Sequence, residues 1–148
     1  MSDRSIQIPG RNSFASPGDD AIPWWVRAAV VVGALLMATG AILALVNPAM
    51  LVGPHEEING AVRVFAGYLF ARNGALAVML IALLTLGAKR ALSQTMILVA
   101  LIQFLDAGVD CAEGRWVIAP GVVVFGIVFL IGASKLSRSP IWSVRAWK

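Results

Sequence analysis

WWVRAAVVVGALLMATGAILALV, residues 24–46, carries a single charged residue, Arg27, in 23 positions. At about 1.5 Å of rise per helical residue, a stretch of this length covers the ~30 Å of hydrocarbon in a bilayer. Pro23 stands at the helix start, and Asn47-Pro48 supplies the stop. Trp24 and Trp25 suit the interfacial belt, with Arg27 snorkelling toward the headgroups. The segment reads as a transmembrane helix.

The rest of the chain repeats the theme. Of its 148 residues 59% are hydrophobic and 14% charged, whereas a soluble domain is apolar to about 45–50%. Three further apolar runs follow, at about 61–88, 92–109 and 116–135, separated by a polar loop at 47–59, a short Ala-Lys-Arg-Ala turn at 88–91 and a polar link at 110–115. Pro120 falls early enough in the fourth run for a first helical turn to accept it. The expected fold is therefore all-α: a polytopic membrane protein whose four-helix transmembrane bundle occupies residues 23–136. Residues 1–22 mix Pro, Gly, Ser, Asp and Arg without an apolar period and are expected to form a disordered tail, not a signal peptide. Residues 137–148, basic and containing Trp142 and Trp147, are expected to lie on an interface.

Orientation follows from the basic residues. Arg4, Arg11, Arg27, Lys89, Arg90, Lys135, Arg138, Arg145 and Lys148 fall on one side of such a bundle, and only Arg63 and Arg115 on the other. The excess predicts a multi-pass protein of the cell inner membrane with both termini cytoplasmic. Because these cations flank apolar runs and do not form an aromatic-interleaved stripe, nucleic acid is not an expected partner.

Cofactor chemistry is constrained by scarcity. One cysteine, Cys111, excludes an internal disulfide, and one histidine, His55, excludes bis-histidine haem and most zinc sites. His55-Glu56-Glu57 are consecutive loop residues, which rarely converge on one ion, so no metal is expected.

The informative residues are polar ones inside the spans. Arg72 begins roughly 17 Å into the second helix, and Asn73 follows it. Tyr68 and Arg72 share a face; on the third helix Gln103, Asp106 and Asp110 share another, spaced by three and four. Ionisable groups in hydrocarbon turn inward and find partners. The two stripes are expected to face each other as a buried polar cluster. Arg72 should meet Asp106 through water, and Arg63 should approach Asp110 or Glu113. Such a cluster fits a structural lock between helices, a pocket for a small ligand or quinone headgroup, or a proton or ion path. Gly67, Ala71 and Ala75, with Gly40 and Ala44 on the first span, form small-residue ridges that permit close helix approach.

GAILALVNPAMLVGP at 40–54, RVFAGYLFARNGALAVML at 63–80 and QFLDAGVD at 103–110 together touch three of the four spans. In these stretches the chain resembles the DoxX-like superfamily of small four-helix membrane proteins, in its uncharacterised branch. The most specific part is Ala71-Arg72-Asn73-Gly74-Ala75-Leu76, an arginine followed by a polar residue and small residues. The resemblance implies a four-helix fold and an association with membrane redox biology, since some relatives are subunits of thiosulfate:quinone oxidoreductases or of complexes handling oxidative stress. It transfers no catalytic residue. The leading expectation is an accessory or interaction subunit, partnered by the lipid bilayer and by other membrane-protein subunits or further copies of itself, with no cofactor of its own and not a stand-alone enzyme. A quinone-linked redox component, holding quinone in the polar cluster, is the alternative. A small multidrug-type transporter ranks third, because its pattern places an acid in the middle of the first span and this span has none.

Overall fold

A computed structural model describes residues 21–51 and 57–137. They form α1 (Trp24–Val46), α2 (Gly60–Thr85), α3 (Lys89–Ala112) and α4 (Ala119–Leu136), with a single 3-10 turn at Pro48–Leu51. All four α-helices are long and apolar enough to cross a membrane. The chain is thus a small integral membrane protein with the four-helix architecture expected. Residues 1–20 and 138–148, which contain most of the two expected tails, and the loop residues His55 and Glu56, lie outside the described residues. Ile22, counted with the tail in the sequence, is buried against the core, and its carbonyl accepts a bond from Arg27 Nε at 3.1 Å.

Local chemistry sets the helix ends. Asn47 leaves helical geometry because Pro48 crowds the residue before it. Asn59 caps α2, its Oδ1 accepting from the amides of Ala61 and Val62 at 3.0 and 3.2 Å. Gly87 and Gly114 take positive φ angles of 65° and 73°, which end α2 and α3 in the same way. The amide beyond each glycine folds back onto the helix: Ala88 N–H donates to the Leu83 carbonyl at 3.1 Å, and Arg115 N–H to the Asp110 carbonyl at 2.7 Å. These caps move the boundaries. Helix α3 begins at Lys89, so Lys89 and Arg90 are its first turn and not a loop; α4 begins at Ala119, after a turn at residues 116–118, with Pro120 in its first turn.

Helix α1 packs along α2 and α3 along α4, and these two hairpins meet through thinner α2–α3 and α1–α4 seams. Apolar packing is densest at the end where α1 begins and α4 finishes. There Val26 and Val30 of α1, Leu80 of α2, Leu92, Met96 and Val99 of α3, and Phe129 of α4 have no exposed surface. Glycines admit the large side chains: a Cβ on Gly33 would lie 2.6 Å from the Phe125 and Phe129 rings, and one on Gly132 would lie 2.5 Å from the Met96 methyl. The two rings stack tilted, with centroids 4.7 Å apart. In hydrocarbon such close approach supplies the dispersion energy that lipid cannot match, since no hydrophobic gradient drives helices together. Ser93 adds a buried hydrogen bond from its hydroxyl to the Ala133 carbonyl at 2.9 Å, tying α3 to α4.

Candidate functional site

At the opposite end of the bundle α2 and α3 separate around a cleft of about 660 Å³. Helix α2 contributes Phe65, Tyr68, Leu69, Arg72 and Asn73; α3 contributes Gln103, Asp106, Val109 and Asp110; Arg115 and Val122 complete the lining. Six of the seven residues singled out from the sequence therefore share one cleft: Tyr68, Arg72, Asn73, Gln103, Asp106 and Asp110.

Arg72 binds Asp106 directly and through both oxygens, with Nη2 to Oδ2 at 2.9 Å and Nη1 to Oδ1 at 3.4 Å. The expectation of a water bridge is corrected. Although Arg72 starts deeper than Asp106, its side chain is long and leans toward the N-terminus of its own helix, which closes the difference in depth. The Arg72 Nε donates to Asn73 Oδ1 at 3.2 Å, which steadies the guanidinium from behind.

Burial of the cluster is also corrected. The side chains of Arg72 and Asp106 keep 40% and 38% of their surface exposed, and Tyr68 keeps 73%. The cause is the thin α2–α3 seam: each helix spends its close contacts on its hairpin partner, so the charged pair bridges a gap and does not line a sealed interior. An ion pair this accessible contributes no more than about a kcal/mol to holding the helices together.

Arg63 stands elsewhere, in a separate recess with Leu45, Val46, Pro48, Ile58 and Ala66. Asp110 instead pairs with Arg115, Nη2 to Oδ1 at 2.9 Å, and is the most buried carboxylate in the cleft. Sequence reasoning assigned Arg115 only to a link. The signal was present in Asp110 followed four residues later by Gly114: a helix-ending glycine returns the next residue to the carbonyl three positions before the cap, which brings residue 115 onto residue 110. The backbone and the side chain of Arg115 thus grip the same residue. Along one wall the cleft presents Gln103, Asp106 and Asp110 in sequence, with an arginine answering each carboxylate.

The small-residue ridge of α2 does not line this cleft. Ala71 and Ala75 are exposed, and Gly67 has nothing within 4 Å of its Cβ position. On α1, Ala44 is buried but Gly40 points outward. Cys111 is half-buried near the end of α3. Compared with known protein families, with curated proteins and with solved structures, the chain finds no match.

Proposed function

We propose that this integral membrane protein is a DoxX-like accessory or interaction subunit of a membrane complex, seated in the inner membrane with both termini in the cytoplasm. The observation that carries the reading is the outer face of α2. Only 11% of the most apolar window of α2 is buried, against 33% for α4. On that uncovered face Gly67, Ala71 and Ala75 present backbone with no side chain over it. Lipid tails gain nothing from such a ridge, whereas a second helix gains close van der Waals contact. The excess of Lys and Arg on the side of the termini supports the orientation, and the Ala71–Leu76 stretch supports the family.

Purification in mild detergent, followed by identification of every retained component, tests this. A stoichiometric membrane protein or a second copy of the chain is expected, and Ala71→Leu with Ala75→Leu should release it while leaving the isolated chain folded. A monomer that retains no protein from any detergent would overturn the reading. Reproducible bound quinone in such a monomer would favour the redox alternative, which would use the cleft and not the outer face of α2.

A further inference from the structure

The α2–α3 cleft holds hydrogen-bonding capacity that the protein does not use. A guanidinium carries five N–H donors; Arg72 directs one to Asn73 and two to Asp106, leaving one on each terminal nitrogen. Each Asp106 oxygen retains a further lone pair. Among the described residues neither the Tyr68 hydroxyl nor the Gln103 amide has a hydrogen-bond partner, although both line the cleft. These groups are accessible and free to bind an occupant of the cleft. Charge, in contrast, is already balanced, because two arginines answer two aspartates.

These facts constrain what the cleft can hold. A charged head would add an uncompensated charge to two ion pairs that already balance. A head with acceptors only would set its oxygens against the Asp106 carboxylate. A neutral head bearing hydroxyls satisfies the spare donors of Arg72 and Gln103 and the spare lone pairs of Asp106 together. The remaining walls, Phe65, Leu69, Val109 and Val122, are apolar and suit a hydrocarbon body. The volume of about 660 Å³ lies within the usual ~300–1,000 Å³ of small-molecule sites. Entry is limited to the open end or the membrane flank, because the dry core at the other end of the bundle leaves no route.

We propose that the cleft binds a neutral, hydroxyl-bearing amphiphile drawn from the membrane, its head between the Arg72–Asp106 pair and Gln103 and its apolar body against Phe65, Leu69 and Val109. The ridge residues Gly67, Ala71 and Ala75 do not line this site, which stands independently of the subunit reading.

Native mass spectrometry of the detergent-solubilised full chain, titrated with monooleoylglycerol, methyl oleate and oleate, tests the proposal. The three probes share one chain and differ in head: hydroxyls with a carbonyl, an ester alone, and a carboxylate. Monooleoylglycerol should bind about tenfold more tightly than methyl oleate, the worth of one or two net hydrogen bonds, with oleate no better than the ester. The combined Tyr68→Phe and Gln103→Leu variant removes no bond within the protein and should shrink that preference to about threefold or less. Val122→Phe, which adds apolar bulk to the cleft and keeps all of its polar residues, should weaken monooleoylglycerol. Equal retention of all three probes, strongest retention of oleate, or a preference unmoved by both variants would overturn the proposal.

Discussion

At the end of the bundle where α1 begins and α4 finishes, Val26, Val30, Leu80, Leu92, Met96, Val99 and Phe129 interlock with no exposed surface, and glycines let rings and a thioether reach opposing backbones. At the other end the same helices part, and Arg72 and Asp106 meet across a cleft with about two-fifths of each side chain still accessible. Both ends are built from one set of four rods, so composition alone does not separate them. What differs is the residue placed where hairpin meets hairpin: glycine opposite Phe in the first case, long polar side chains in the second. A bundle can therefore take its cohesion from one half and leave the other half free to hold something.

With cohesion concentrated there, the largest stability losses belong to the closed half. Phe129→Ala should cost on the order of 2–3 kcal/mol, below the usual range for such a truncation in water, because the unfolded side chain already sits in lipid and only the cavity and lost contacts count. Denaturing-detergent titration of the purified protein measures it. A loss comparable to that of a cleft residue would erase the contrast between the halves. Gly33→Ala should come next, at about 1–3 kcal/mol, because the added methyl would meet two aromatic rings at 2.6 Å that can move only as rigid plates. Gly132→Ala should be milder, since it meets the flexible end of Met96.

The open half sets the next scale. A double-mutant cycle on Arg72→Leu and Asp106→Leu should return a coupling of roughly 1 kcal/mol, as is common for interhelical polar contacts in bilayers. Arg72→Leu alone should still give folded protein. Loss of all folded yield would make the pair a lock and bring the two halves under one rule, whereas normal folding with lost amphiphile binding would sharpen the difference between them.

Much of this contrast was legible in advance, and the part that was not has identifiable causes. Apolar runs long enough to cross hydrocarbon located all four helices, because in lipid the backbone must satisfy itself. The first helix matched its expected limits at Trp24 and Val46. The spacing of Tyr68 with Arg72, and of Gln103, Asp106 and Asp110, put those residues on the two walls of one cleft. Openness of the cleft could not be read, because it depends on how closely the helices pack, and Gly33 against α4 and Gly126 and Gly132 against α3 set those distances only once their partners are known. Arg63 was misplaced for a related reason: helix α2 turns it toward the α1 side, where its neighbours are Leu45 and Val46. The α3 boundaries shifted because Gly87 and Gly114 act as left-handed caps, a signal local enough to read but easily hidden between two apolar runs.

The smallest effects discriminate most finely between a helix face that touches protein and one that touches lipid. Gly114→Ala should cost about 1 kcal/mol, since alanine resists the positive φ of 73° that brings Arg115 back onto Asp110. Gly67→Ala, by comparison, should leave the isolated monomer unchanged or more stable by up to about 0.5–1 kcal/mol, because it replaces a mid-helix glycine where nothing stands within 4 Å. Thermal melts in detergent give both values. The same Gly67→Ala substitution, measured in whatever complex the protein forms, should reverse sign if another helix packs on the α2 ridge, since the new methyl would then hold two backbones apart. Equal gains in monomer and complex would mean that lipid covers this face, and the partner would have to be sought at the cleft.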